Sequence, residues 1–169
     1  VMTLVDLLET SARQHTERQS LVMRLGVRTI RYSYGDLERR AHAYARLMRD
    51  RQVKEGDRVV IWAQNQPDWV ASMFGAFIAG AVAVPLDVRS TREFVERVLQ
   101  QTEPALAFAG KQQAPLLREL EIPTIDLETL VPPVNGLVTP AAITADTLAE
   151  IIFTSGTTGD PKGVMLTHG

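Results

Sequence analysis

Apolar positions follow two different periods along this chain, and the two alternate. Some apolar runs are short and nearly continuous, which is typical of strands buried on both faces of a parallel sheet. The predicted strands of this kind are residues 58–63, 81–86, 105–109, 123–126 and 148–153. Helical spacing is found in residues 4–14, 33–51, 65–80, 90–103 and 115–120. This alternation predicts an α/β fold with a mostly parallel sheet, flanking helices and right-handed βαβ connections.

Several helix ends have recognisable local signals. These are the capping-box pairs Ser33/Asp36 and Ser90/Glu93, the pair Asn65/Pro67 at a helix start, and Gly80 at a helix end. A capping box satisfies N–H groups that would otherwise lack partners, and glycine adopts the left-handed conformation that ends a helix. Residues 21–25 and 29–32, on either side of Gly26, predict a hairpin at the edge of the fold.

The C-terminal stretch contains the most informative chemistry. A connection rich in proline over residues 130–144 precedes the strand 148–153, which leads into the sequence TSGTTGDPKG at residues 154–163. We call residues 154–163 the glycine-rich loop. Residues 164–167 predict a second strand, so the expected shape is strand, loop, strand. Open α/β sheets generally bind ligands at the carboxyl ends of strands, where this loop is expected to lie.

Hydroxyl groups, glycines and one lysine are crowded into the glycine-rich loop. The residues concerned are Thr154, Ser155, Gly156, Thr157, Thr158, Gly159, Lys162 and Gly163. Glycines free the backbone and allow close approach, while hydroxyl and N–H groups donate hydrogen bonds and the lysine adds positive charge. A Walker A loop requires lysine directly after glycine and a hydroxyl residue next, and Lys162 follows Pro161 instead. The loop therefore predicts a polyphosphate site of a different type.

Three segments resemble the adenylate-forming superfamily, which includes acyl-CoA and aryl-CoA synthetases, peptide-synthetase adenylation domains and firefly luciferase. Residues 154–163 resemble the phosphate-loop signature of that superfamily, and residues 32–37 and 77–87 resemble two upstream elements in the same order. The resemblance implies that residues 1–169 are the N-terminal portion of the AMP-binding domain and end just after the phosphate loop, without the C-terminal domain. It also implies that the eight loop residues named above bind ATP.

The activity implied by this resemblance is ATP-dependent ligation of a carboxylic acid to a thiol. The acid forms an acyl-adenylate, which is transferred to CoA. A fatty acid is favoured because residues 56–69 resemble acyl-CoA synthetases more than peptide synthetases. The implied Mg²⁺ ligands and catalytic residues lie outside this chain, which we interpret as a truncated and inactive piece. The open alternatives are an amino-acid or aryl-acid adenylation domain, a non-catalytic nucleotide-binding module, and a structural domain with a vestigial loop.

Composition excludes several other classes of function. The 169 residues have a formal charge of −2 and contain no cysteine and three separated histidines, so disulfides, thiolate catalysis and a clustered metal site are not expected. The charge gives no sign of nucleic-acid binding, and no apolar run is long enough to span a membrane. The expected location is the cytoplasm, with peripheral membrane association left open. A sheet cut at this point is expected to expose apolar surface that favours a homodimer.

A few conspicuous side chains have structural explanations. Trp62 and Trp69 are interpreted as core residues rather than base-stacking platforms. The pair Arg39 and Arg40 is interpreted as part of a solvated helix face, with an anionic partner as the alternative. His168 is expected to be satisfied by a local hydrogen bond and is left out of the predicted site.

Overall fold

Helices and strands alternate along the chain, as the sequence predicts. This computed structural model describes residues 2–154 and 160–169, apart from the side chain of Leu25. In chain order the elements are α1 (Leu4–His15), β1 (Gln19–Leu25), β2 (Arg28–Ser33), α2 (Tyr34–Asp50), β3 (Arg58–Trp62), α3 (Pro67–Ala79), β4 (Val82–Pro85), α4 (Arg92–Thr102), β5 (Leu106–Ala109), α5 (Ala114–Glu119), β6 (Thr124–Asp126), β7 (Leu148–Thr154) and β8 (Lys162–Thr167).

A six-stranded sheet in the order β6-β5-β3-β4-β7-β8 forms the centre of the fold. The pairs from β6 to β7 are parallel, and β8 adds antiparallel to β7. The prediction of an α/β fold with a mostly parallel sheet is therefore confirmed. Strands β1 and β2 pair with each other in a separate two-stranded sheet, so the predicted hairpin forms apart from the main sheet.

Two apolar clusters cover opposite faces of the sheet. Helices α1, α2 and α3 contribute to the first cluster, together with Ile61 and Phe108 of the strands. Helices α4 and α5 contribute to the second, together with Trp62 and Val84. Neighbouring strand residues such as Ile61 and Trp62 belong to different clusters because successive side chains point to opposite faces. The result is a three-layer arrangement of helices, sheet and helices.

The predicted helix ends were correct at some positions and wrong by one residue at others. Ser33 caps α2 with the expected capping box, and Gly80 ends α3 with a φ of 76°. The N-cap of α3 is Gln66 rather than Asn65, since Pro67 occupies the first turn and fixes the start of the helix. The N-cap of α4 is Thr91 rather than Ser90, because the Thr91 hydroxyl accepts the N–H of Phe94.

Helix α2 holds the connection between β6 and β7 through side chains on one face. His42 Nδ1 accepts the N–H of Val138 at 3.1 Å, and Arg46 Nη2 donates to the carbonyl of Asn135 at 2.9 Å. One helical turn further, Arg49 Nη2 donates to the carbonyl of Thr139 at 2.7 Å. These bonds satisfy backbone groups of a segment without secondary structure and fix its path toward β7.

Candidate phosphate-binding site

The antiparallel pair β7–β8 brings the two ends of the glycine-rich loop together. Its last cross-strand pair is Thr154 with Lys162, and both residues are exposed. Cross-strand partners lie on the same face, so the Thr154 hydroxyl and the Lys162 ammonium group belong to one surface. Five predicted site residues lie outside the described residues: Ser155, Gly156, Thr157, Thr158 and Gly159.

The glycine-rich loop follows the carboxyl end of β7, beside the carboxyl end of β4. The two strands pair in parallel through Ala83 and Glu150. A cavity of about 510 Å³ opens at this edge, and its lining includes Asp87, Arg89 and Phe153. The described ends of the glycine-rich loop therefore lie at the edge of the sheet that the sequence predicts, and Phe153 of β7 lines a space large enough for a small molecule.

Helix α4 contacts the end of the glycine-rich loop that leads into β8. Gln101 Nε2 donates to the carbonyl of Pro161 at 3.2 Å, and Arg97 Nη1 lies 3.5 Å from Asp160 Oδ1. Pro161 is itself buried. The Arg97–Asp160 pair is exposed, and such pairs add little stability, while the Gln101 amide bond and the buried Pro161 also hold this end of the loop.

Gly163 has a packing function in the structure. It is part of extended strand β8 and lies opposite Phe153. A Cβ at Gly163 would lie 2.8 Å from Ile151 Cγ2 and 3.1 Å from Phe153 Cζ. Ile151 and Phe153 pack against the second apolar cluster. Gly163 thus lets these side chains cross the neighbouring strand, and a left-handed backbone is not the reason for glycine here.

The charges beside the cavity are largely paired with each other. Arg89 donates from Nε and Nη2 to the two carboxylate oxygens of Asp87, at 3.0 and 2.7 Å. These hydrogen bonds lower the pKa of Asp87 to about 2. On β7, burial raises the pKa of Glu150.

Lys162 forms no ion pair with the described residues. Its charge is therefore available to an anion.

This geometry agrees with a comparison of the whole chain with known families. The family described as AMP-binding enzyme matches residues 8–169. The chain belongs to this family. The resemblance to adenylate-forming enzymes that the glycine-rich loop and two upstream segments indicate is therefore confirmed.

Relatives within the AMP-binding family include two kinds of enzyme. Tyrocidine synthase 3 of Brevibacillus parabrevis is 35% identical over 140 residues, which cover 80% of this chain and 2% of that protein. Crotonobetaine/carnitine–CoA ligase of Escherichia coli O6:K15:H31 is 31% identical over 159 residues, covering 82% of this chain and 31% of the ligase. The chain thus spans less than a third of either relative.

Solved structures of the AMP-binding fold superpose on nearly the whole chain. A fatty acid AMP ligase from Legionella pneumophila matches with a TM-score of 0.85 and 24% identity, covering 98% of this chain and 30% of that one. VinN matches with a TM-score of 0.87 and 25% identity, covering 98% of this chain and 43% of that one. The predicted α/β fold, shared with adenylate-forming enzymes, is confirmed by these matches.

The side chains of Trp62, Trp69 and His168 contribute to packing in the described part of the chain. Trp62 is buried and its indole N–H donates to the carbonyl of Asp87 at 2.9 Å, which confirms it as a core residue. Trp69 packs against the first cluster. His168 follows the far end of β8 and stacks edge-to-face on Phe77, with ring centroids 5.2 Å apart.

The expected side-chain hydrogen bond of His168 is absent among the described residues. Both of its ring nitrogens are buried without a partner there. Burial lowers the pKa of the imidazole, because a charge in this position would lose its hydration. His168 is separated from Lys162 by the length of β8, or roughly 20 Å of extended chain, so it does not approach the glycine-rich loop.

Sequence reasoning missed the side chains that contact the glycine-rich loop from other elements. Gln101 and Arg97 contact the loop from α4, and neither carries a sequence signal for that contact because about 60 residues separate them from it. Asp87 and Arg89 had a detectable signal, since both follow a predicted strand at the ligand-binding edge. In the sequence, Asp87 stands out only as the last residue of segment 77–87, which resembles a family element.

Proposed function

We propose that the chain is the N-terminal part of the AMP-binding domain of an ATP-dependent, AMP-forming acid–thiol ligase, and that its glycine-rich loop binds the β- and γ-phosphates of ATP. The observation that carries this proposal is the pairing of Thr154 with Lys162 at the base of a loop of hydroxyls and glycines, on the carboxyl edge of the sheet. Membership in the AMP-binding family supports it.

The proposed chemistry begins when a carboxylate oxygen attacks the α-phosphorus of ATP. The bond from the α-phosphorus to the bridging oxygen breaks, and pyrophosphate leaves with the negative charge that develops. Lys162 and the hydroxyl of Thr154 would stabilise that charge, together with Ser155, Thr157, Thr158 and the loop N–H groups at Gly156 and Gly159. The absence of a Cβ at Gly163 would keep the second strand close to Phe153 and so hold Lys162 in place.

Magnesium enters this proposal only through residues outside the chain. The described residues contain no group of three or more His, Asp or Glu side chains that could hold a metal ion. We expect the Mg²⁺ ligands, like the catalytic residues, elsewhere in the complete protein. Residues 1–169 alone are therefore not expected to form an acyl-adenylate.

The favoured substrates are a fatty acid and CoA. One relative is named a crotonobetaine/carnitine–CoA ligase, and residues 56–69 of this chain resemble the acyl-CoA synthetase branch. The second candidate is an amino-acid adenylation domain. It is favoured by the higher identity to tyrocidine synthase 3 and by the superposition on VinN in complex with 3-methylaspartate.

Exchange of labelled pyrophosphate into ATP, measured with the complete protein and a panel of acids, tests the proposal. Exchange with fatty acids followed by CoA thioester formation supports the first candidate, while exchange with amino acids alone favours the second. No exchange with any carboxylic acid, together with retained binding of ATP, would identify a non-catalytic nucleotide-binding module.

A pair of lysine variants tests the role of the glycine-rich loop. Lys162→Ala should lower the exchange rate by roughly 10- to 100-fold, as expected for loss of one hydrogen bond to a charged group. Lys54→Ala is the matched control, since Lys54 is exposed in the turn before β3. Equal exchange rates for both variants would contradict phosphate binding by the loop and would favour a vestigial loop.

We further propose self-association through β8 when the chain is isolated. Val164, Met165 and Leu166 of this strand are exposed by 51%, 70% and 40%, and β8 is the last strand of the sheet order. An exposed apolar edge strand is a template for pairing with another chain. Sedimentation of isolated residues 1–169 tests this, and a monomer at all concentrations would exclude it.

A further inference from the structure

The hairpin β1–β2 carries a concentration of positive charge that the proposed ligase site does not use. Residues 18–31 contain Arg18, Arg24, Arg28 and Arg31 and no Asp or Glu, although the whole chain has a formal charge of −2. All four arginines are exposed. Within residues 2–154 and 160–169, none of the four guanidinium groups has a recorded ion pair or hydrogen bond.

One face of the hairpin is attached to the fold. Leu21 packs against the first apolar cluster, and Tyr32, its cross-strand partner, donates from its hydroxyl to Asp68 Oδ2 at 3.0 Å. Burial, together with the Asp68 carboxylate, raises the pKa of Tyr32 to about 12, so the phenol stays protonated and keeps donating. These contacts hold the hairpin at a fixed angle to the fold.

The other face and the tip of the hairpin are free. Val22 pairs with Arg31 and Arg24 pairs with Thr29, so these side chains share the outer face. A Cβ built on Gly26, in the turn, would meet no atom within 4 Å. The space beside Gly26 is therefore open.

Apolar side chains stand among the arginines at this exposed end. Val27 in the turn is 103% exposed and Val22 on the outer face is 52% exposed. Arginine alone suits any anionic partner, including nucleic acid or an acidic protein. An exposed valine at the tip, flanked by Arg24 on the outer face and by Arg28, the partner of Leu25, on the opposite face, suits an interface that is anionic outside and apolar beneath, which is the property of a lipid surface.

From this arrangement we propose that the hairpin β1–β2 docks the protein on an anionic lipid surface, with Val27 entering the headgroup region and Arg24, Arg28 and Arg31 contacting lipid phosphates. The proposal does not depend on the ligase activity. The arginine fork binds phosphate oxygens in pairs, and each basic side chain near an anionic leaflet raises membrane partitioning by about fivefold.

Flotation with lipid vesicles tests this docking in the complete protein. The protein should float with phosphatidylcholine vesicles that contain phosphatidylglycerol. With vesicles of pure phosphatidylcholine it should remain at the bottom of the gradient. The triple variant Arg24→Gln, Arg28→Gln and Arg31→Gln should lose on the order of 100-fold in partitioning. The control triple variant Arg51→Gln, Lys54→Gln and Arg118→Gln has the same change in net charge at other exposed positions, and it should float like the unaltered protein.

Fluorescence of a tip variant separates insertion from charge attraction. The tryptophan of a Val27→Trp variant should shift its fluorescence emission maximum to shorter wavelength with anionic vesicles. With neutral vesicles it should keep the emission maximum of a water-exposed tryptophan. Equal losses in the two triple variants would overturn the proposal, because net charge alone would then explain binding. Absence of flotation, or retention of RNA or an acidic protein by the hairpin without vesicle binding, would also overturn it.

Discussion

Replacing Gly75 by alanine should destabilise the fold, although helix propensity predicts the opposite. Alanine in a helix interior is favoured over glycine by about 1 kcal/mol. At position 75, however, the new Cβ would lie 2.6 Å from Tyr44 Cβ and 2.9 Å from the carbonyl oxygen of Ala41 in α2. Tyr44 cannot yield easily, since it is fully buried and its ring packs edge-to-face on Phe108.

The expected size of the effect follows from these distances. Overpacking a well-packed core costs typically about 1–3 kcal/mol. We take the upper end of that range because two of the three nearest atoms belong to the backbone of α2, which moves only if the whole helix shifts. Subtracting the gain in helix propensity leaves a net loss of about 2 kcal/mol in the free energy of unfolding.

Urea unfolding of the isolated chain measures this loss. With a slope of about 2 kcal/mol per molar urea, the midpoint should fall by about 1 M at unchanged slope. Gly35→Ala in α2 is the comparison variant and should cost less, because its closest contact would be the Thr16 methyl at 2.8 Å and the one backbone atom it would meet, the Thr16 carbonyl oxygen, lies at 3.2 Å. A Gly75→Ala protein as stable as the unaltered one, or equal losses at both positions, would refute the reasoning.

Three further predictions follow from individual contacts. Thr91→Ala should cost about 1 kcal/mol in urea unfolding and Ser90→Ala much less, because the hydroxyl of Thr91 is the one that caps α4. Burial lowers the pKa values of His42 and His168 in the folded state, so the unfolded chain binds protons at these residues at a higher pH than the folded chain does. The free energy of unfolding should therefore decrease as pH falls below 6.5. The decrease should be less steep in a His168→Phe variant. Gln101→Ala should slow pyrophosphate exchange in the complete protein by a few-fold, because it removes the hydrogen bond that the Gln101 amide donates to Pro161 at the end of the loop. An unchanged exchange rate would show that this hydrogen bond does not contribute to phosphate binding.

Local signals in the sequence predicted the elements well because their causes are local. Ser33 caps α2 through atoms three residues away, and Gly80 ends α3 through its own left-handed backbone. The errors at Asn65 and Ser90 also have local causes, since Pro67 fixes the start of α3 directly after Gln66 and the Thr91 hydroxyl caps α4. The alternation of helices and strands likewise predicted the parallel sheet.

Contacts between distant segments could not be predicted in this way. Nothing near Gln101 indicates that its side chain reaches Pro161, and nothing near Arg49 indicates that it binds the connection at Thr139. The packing function of Gly163 was also missed, because it depends on Phe153 across the strand pair. For the candidate site, the sequence predicted the loop and its chemistry, and the tertiary fold added the residues that position it.

Side chains as well as the sheet hold the ends of the glycine-rich loop. Strands β4 and β7 pair through Ala83 and Glu150, and side-chain contacts add to this backbone pairing. Phe153 packs the β7–β8 hairpin against the second cluster, Gln101 holds the loop end, and the bonds from α2 fix the connection that enters β7. An element attached in this way can adjust its angle when side-chain contacts change, while the sheet beneath it stays fixed. We therefore expect substitutions at these contacts to alter phosphate binding at little cost to the stability of the central sheet.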